Sequence, residues 1–183
     1  MKKKYLCIVL ITLICCNSKK DAYLISENSV GLLKIGMNIN DANKLFSDCK
    51  IEKVDLSIFG LDGGGSGILI KRQNEKIVVF WTNSDKNKVD GILCFSSKYH
   101  TKHGIKPKMT IGELKKILPK STIQVNLIFP EHEFIILESE HVNLDFLSTE
   151  GNRIGKYKNI DPDESTTEMK LNARVNYIEL IVK

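Results

Sequence analysis

Met37-Asn38-Ile39-Asn40-Asp41-Ala42-Asn43-Lys44-Leu45-Phe46 and Met109-Thr110-Ile111-Gly112-Glu113-Leu114-Lys115-Lys116-Ile117-Leu118 are one pattern written twice, 72 residues apart. Thr110 and Glu113 hold the S/T-x-x-E spacing of a capping box, in which the hydroxyl accepts from a free amide at a helix start and the carboxylate reaches back to the cap amide. Asn38 and Asp41 occupy the same places in the first copy. Ile39, Ala42, Leu45 and Phe46 fall on one helical face, as do Ile111, Leu114, Ile117 and Leu118. Pro119 closes the second helix. Both helices are therefore short, and packing rather than propensity has to hold them.

The repeat extends outward from these helices. Strand-like runs rich in β-branched and aromatic residues follow each one, at 51–59, 67–72, 76–82 and 89–97 in the first copy and at 122–129, 133–138, 141–148 and 172–182 in the second. Short connections imply antiparallel neighbours. The expected fold is α+β, with two tandem repeats, each a short helix packed on a four-stranded antiparallel sheet. Lys88–Ser96 aligns with Arg174–Val182, and Ile77–Trp81 is set against Val142–Phe146. On this alignment Val79 and Trp81 match Leu144 and Phe146 and face the helix, whereas Val78 and Phe80 match Asn143 and Asp145 and face water. Faces alternate with period two, so these assignments stand or fall together. Val78, Phe80, Leu93 and Phe95, with Tyr177 and Ile181 of the second copy, would then form an apolar sheet face, the usual mark of a protein contact. The long segment 149–169 is the alternative cover for it.

The amino terminus is a different kind of sequence. Met1–Cys16 reads MKKKYLCIVLITLICC, with three lysines, an apolar run from Tyr5 to Cys15, and a polar turn at Asn17. The run is too short to span a bilayer, which takes about 20 residues, and has the layout of a secretory signal peptide. Leu13-Ile14-Cys15-Cys16 resembles a bacterial lipobox, with Leu three residues before the modified Cys. That resemblance implies signal peptide 1–15, a diacylglycerol thioether on Cys16, usually a further acyl chain (palmitate) on its amine, and a tether to residue 29. Asn17 in place of Asp favours the outer membrane. The first α/β repeat is then 30–99 and the second 100–183.

Composition adds exclusions. The 183 residues carry 27 Lys and Arg against 22 Asp and Glu, a net charge of +5. Without Lys2, Lys3 and Lys4 the balance is 24 to 22, a charge of +2 with both signs interspersed. This is not the footprint of a nucleic-acid binder. Cys49 and Cys94 either pair in an oxidising envelope or stay free as buried thiols. Gly60–Gly67 lacks the Lys-Ser/Thr of a phosphate loop and leads into a strand, so it is expected to be a hairpin loop. His100, His103 and Glu131-His132-Glu133 fall in loops, where exposed histidines are the expectation, and no metal or other cofactor is assigned. No serine elbow or cysteine–histidine nucleophile occurs. A hydrolase would need His100, His103, Glu131 or Asp161 to converge within about 4 Å.

Two further stretches carry a family likeness. Gly31–Asn43 is a Gly-x-x-hydrophobic-Gly-Met-Asn lead into a short helix. Ser97–Ile105 has a Tyr-x-Thr-x-x-Gly-Ile pattern running into the second capping box. Over 30–183 the chain resembles the tandem repeats of β-lactamase-inhibitor-protein type, and is similar to the small lipoprotein of the outer-membrane assembly machine. The resemblance implies an outer-membrane lipoprotein of the cell envelope without catalysis, a protein-binding module (inhibitor, immunity or assembly factor) whose sheet surface meets an envelope or secreted protein. An envelope hydrolase and a purely structural lipoprotein are the alternatives.

Overall fold

The computed structural model describes residues 21–61, 65–82, 87–158 and 164–180. The chain opens with three short strands, β1 (Leu24–Ser26), β2 (Ser29–Val30) and β3 (Leu33–Lys34), then helix α1 (Ile39–Lys44). Strand β4 (Lys50–Asp55), a 3-10 turn (Leu56–Phe59), β5 (Ser66–Arg72), β6 (Glu75–Thr82) and β7 (Val89–Cys94) follow. After β8 (His100–Thr101) come α2 (Ile111–Ile117), β9 (Ile123–Val125), β10 (His132–Leu137), β11 (Val142–Leu147), β12 (Ser165–Thr166) and β13 (Tyr177–Leu180). The fold is α+β with few helices and a large sheet.

The helix starts follow the capping chemistry. Thr110 Oγ1 accepts from Glu113 N at 3.2 Å, and the Glu113 carboxylate accepts from Thr110 N at 2.8 Å, completing the box. These bonds hold the Glu113 carboxyl below the usual carboxylate range. At α1, Asn38 accepts from Asn40 N, and Asp41 pairs with Lys44 instead of reaching back. Both helix entries are bound to the strand beside them in the same way. Gly36 N donates to Val89 O and Val89 N to Met37 O (2.7 and 2.8 Å), and Lys108 N donates to Val175 O and Val175 N to Met109 O (2.7 and 2.9 Å). Gly36 and Lys108 both have positive φ, 79° and 69°.

The strands do not form two separate four-stranded sheets. β4 to β7 and β9 to β11 with β13 lie in one nine-stranded sheet, ordered β12-β9-β10-β11-β13-β7-β6-β5-β4. The join is the antiparallel pair of β7 and β13, with Cys94 opposite Ile178 and Leu93 opposite Glu179. Both strands are largely buried, and an open apolar edge invites aggregation, so pairing them removes the liability. The outer edge β4 instead carries Lys50, Glu52 and Lys53. Glu52 sits between Lys50 and Lys71 at 2.7 and 2.6 Å, which together draw its carboxyl down to about 2.

The helices and the β1–β2–β3 layer pack on one side of this sheet. Their core joins Ala42, Ile111 and Leu114 to Phe80, Ile92, Leu144, Phe146 and Ile178. Ile92, Cys94, Ile178 and Leu180 face the helices, and so, as expected, do Leu144 and Phe146. Val78 and Phe80 do not face water. Both are fully buried on the helix side, while Val79 and Trp81 lie on the other face. The register sets Val78 opposite Cys94 and Val142 opposite Leu180. The alignment over β6 is thus slipped by one residue, and an odd slip reverses every face along that strand.

Candidate functional site

The open side of the sheet carries a second apolar cluster of Leu56, Phe59, Leu69, Val79, Leu93 and Tyr177. Its cover is the 3-10 turn after β4, not segment 149–169. Asp55 caps the turn by accepting from Ser57 N and Oγ at 2.9 and 2.8 Å, bonds that hold its carboxyl below the usual range. Gly67, opposite Val54, leaves room for this cover; a Cβ there would lie 2.7 Å from a Leu56 methyl. At the end of the turn Gly60 takes φ of 68° and lies flat on the imidazole of His132.

His132 contradicts the expectation of an exposed loop histidine. It opens β10 and is only 2% exposed. Its Nδ1 lies 3.1 and 3.2 Å from the Asp145 carboxylate oxygens and 3.3 Å from the Tyr177 hydroxyl. That hydroxyl donates to Phe59 O, and Asn126 Nδ2 donates to Gly60 O at 3.0 Å. The turn from the β4 end of the sheet is therefore bolted to strands at the β9 end. Burial pushes the Asp145 carboxyl up, with His132 opposing the shift, and burial with Asp145 pushes the Tyr177 phenol up. Glu133, beside His132, points to the helix side and is fully buried. Its carboxylate accepts from Ile154 N, Gly155 N and the Tyr157 hydroxyl, all at 2.8 Å, and so pins segment 153–158.

Next to the bolt is a pocket of about 310 Å³. Phe59, Phe95 and Tyr177 form its aromatic floor, with ring centroids 5.1–6.1 Å apart. Lys76 Nζ lies 5.3 Å from the Phe59 centroid and 5.6 Å from that of Phe95, within cation–π range. Ile58 and Leu147 line the rim and are 57% and 52% exposed. Lys108 lines it too, 3.5 Å from Glu75. The pocket thus has an apolar centre, a polar margin and two cations. His132 supplies a buried base–acid pair at its edge, yet no serine, threonine or cysteine lies within hydrogen-bond distance of that ring among the described residues.

Of the residues expected to form the contact face, Leu93, Phe95 and Tyr177 do share the open side. Leu93 and Tyr177 are buried beneath the turn, Phe95 is part-exposed at the pocket, and Val78 and Phe80 belong to the opposite core. Ile181 lies outside the described residues, as do Asp161, Cys16 and the whole of 1–20. His100 pairs with Asp21 at 3.3 Å and His103 with Glu140, so these histidines sit in separate places. Among the described residues no cluster of three or more metal-ligating side chains occurs. Cys49 and Cys94 are both free thiols: Cys94 faces the core, where burial pushes its thiol up to about 12, and Cys49 lies against Asp48 and Arg72. Leu56, Ile58, Phe59, Leu147 and His132 carry no contact signal in the sequence. The turn has no helical or strand period to announce it, and only the Asp-x-Ser capping spacing and Gly60 hinted at a stop.

No family model matches the sequence, and no curated protein matches it. Among solved structures, the chain is similar to the crystal structure of the uncharacterized protein yfeY from Escherichia coli. The identity is 14% and the TM-score 0.53, over 86% of this chain and 99% of that one. At that identity the likeness shows the fold alone. Among the described residues no helix is long and apolar enough to cross a membrane.

Proposed function

We propose that this protein is an outer-membrane lipoprotein, acylated at Cys16, whose body is a non-catalytic protein-binding module, and that the pocket on the open side of the sheet is its contact point. The observation that carries the binding reading is the aromatic floor of Phe59, Phe95 and Tyr177 ringed by exposed Ile58 and Leu147. Large aliphatic side chains left in water around aromatic rings are what a protein contact covers. The anchor reading rests on the lysine triplet, the apolar run and Leu13-Ile14-Cys15-Cys16. Several acyl chains, at about 0.8 kcal/mol per buried CH₂, hold a protein to a bilayer far better than one.

We infer that the body arose by duplication of a helix-and-four-strand unit. The matched bonds at the two helix entries support this. So does the bridge of Asn38 with Lys88, which has its counterpart 72 and 86 residues on in that of Thr110 with Arg174. The pair Leu93 and Glu179, also 86 residues apart, face each other at the join, as the central strands of two units related by a two-fold axis would.

The test is site-specific photo-cross-linking in living cells. A photoreactive residue at Ile58 or Leu147 is expected to give one discrete protein adduct, weakened by Lys76→Glu, with none from Lys44 on α1. Equal adducts from both sides, or none from the pocket rim, would overturn the reading.

A further inference from the structure

The docking of Asp21 and Tyr23 onto His100 limits how a body acylated at Cys16 can meet a membrane. Asp21 is tied to the body by its bond to His100, and Tyr23 O accepts from His100 N at 3.0 Å, so the chain is docked from its first described residues. β1 then runs parallel to β8, in the layer that covers the helix side of the sheet. Cys16 lies five residues before Asp21. Five residues at full extension reach about 18 Å.

That reach is short against the body. A helix layer is about 10–12 Å thick and a sheet with its side chains about 10 Å. To lay the open face flat on the bilayer, the tether would have to cross both layers, roughly 20 Å, which exceeds its reach of about 18 Å. The side that reaches the membrane without strain is the one bearing Asp21. Its surface suits an interface. Tyr23 is 48% exposed and stacks edge-on against Tyr99 at 5.5 Å. Lys98 lines the same shallow hollow with Arg72, which is paired with Asp48, and Lys102 lies beside β1 in a hollow it shares with Glu27 and Glu140. Amphipathic aromatic rings with lysine and arginine around them settle at the headgroup level.

We propose that the Tyr23–Tyr99 surface rests on the lipid headgroups and that the pocket of Phe59, Phe95 and Tyr177 points away from the bilayer. This rests on acylation at Cys16. It means that the lipid anchor presents the contact pocket outward rather than merely keeping the protein near the membrane.

The experiment uses the full-length acylated chain with Trp81→Phe, which removes the one tryptophan. Tyr23→Trp or Leu147→Trp is then introduced singly. Each variant is reconstituted in phosphatidylethanolamine–phosphatidylglycerol vesicles that carry bromine near the headgroup end of the acyl chains. The expected result is strong quenching at position 23, at least a two-fold loss of fluorescence, and none at 147. Quenching at 147 equal to that at 23, or no quenching at 23 in chains that float with the vesicles, would overturn the orientation while leaving the anchor intact. Chains that fail to float would overturn both.

Discussion

Replacing Gly60 with alanine tests the bolt between the two ends of the sheet. Two separate penalties meet at this position. Its φ of 68° is left-handed, where an L side chain costs about 1–2 kcal/mol. A Cβ would also stand 2.8 Å from His132 Cγ and 3.0 Å from Nδ1, and the ring is held by Asp145 and Tyr177. Overpacking of that kind costs about 1–3 kcal/mol. The expected loss is therefore about 2–5 kcal/mol. Two controls separate the parts. Gly36 has φ of 79° with nothing within 4 Å, so Gly36→Ala should lose about 1–2 kcal/mol from backbone strain alone. Gly67 has ordinary backbone but would strike Leu56 and Val79, so Gly67→Ala should lose about 1–3 kcal/mol from crowding alone. Urea titration in the Cys16→Ala background, followed by Trp81 fluorescence, reads all three. With a slope of about 2 kcal/mol/M, the midpoint should fall by about 1–2.5 M for Gly60→Ala and by about 0.5–1 M for Gly36→Ala. Equal falls for those two would show that His132 does not press on Gly60, and the bolt would be refuted.

Other consequences concern the buried acids and thiols. Glu133→Ala leaves two amides and a hydroxyl without an acceptor, at about 1–3 kcal/mol each. A loss of about 3 kcal/mol or more is expected, with faster hydrogen exchange at Ile154 and Gly155; unchanged protection there would count against it. Burial raises the Glu179 carboxyl, opposed by its bond from Asn143, so the folded state holds that proton more tightly than the unfolded chain. Its stabilising share is complete below the unfolded value near 4.5 and is lost as pH rises through the folded value. Glu179→Gln should therefore gain on the parent as pH rises above about 4.5, and thermal midpoints that track each other there would contradict it. Thiol titration of the folded protein at pH 8 should label Cys49 promptly and Cys94 only after unfolding, because burial keeps the latter protonated. A folded protein with no reactive thiol until it is reduced would mean that the two cysteines pair.

The helix starts were legible because capping is local: Thr110 and Glu113 need only each other. The longer strands were legible by composition, and most lie within a few residues of their expected bounds, but β1, β2, β3, β8 and β12, of two or three residues each, were not, and β1 falls inside the stretch expected to be tether. What failed was non-local. The run at 51–59 breaks at Asp55 into a 3-10 turn, because Asp55 captures the Ser57 amide and ends the ladder. The faces of β6 were inverted because an alignment of two apolar runs, Ile77–Trp81 and Val142–Phe146, has no marker of parity, and only pairing with β7 fixes it. The fusion of the sheet through β7 and β13 left a trace in the sequence, since Ile92, Leu93 and Cys94 of β7 are apolar on both faces and β13 has only Glu179 as a charged residue, but a buried strand pairs with any edge of suitable length. The pocket was only half visible. Phe95 and Tyr177 lie on the open side, Tyr177 buried beneath the turn, while Ile58, Phe59 and Leu147 arrive from segments whose packing no periodicity encodes. His132 reads as a loop residue until Asp145, thirteen positions on, is brought across the β10–β11 pair.

Acylation at Cys16, on which the outward presentation of the pocket depends, is tested most directly by the intact mass of the protein extracted from the membrane fraction. The account predicts a chain beginning at Cys16 and heavier than its peptide by a thioether-linked diacylglycerol and an amide-linked acyl group. A chain that retains Met1 to Cys15, or begins at Cys16 with an unmodified thiol, would contradict it.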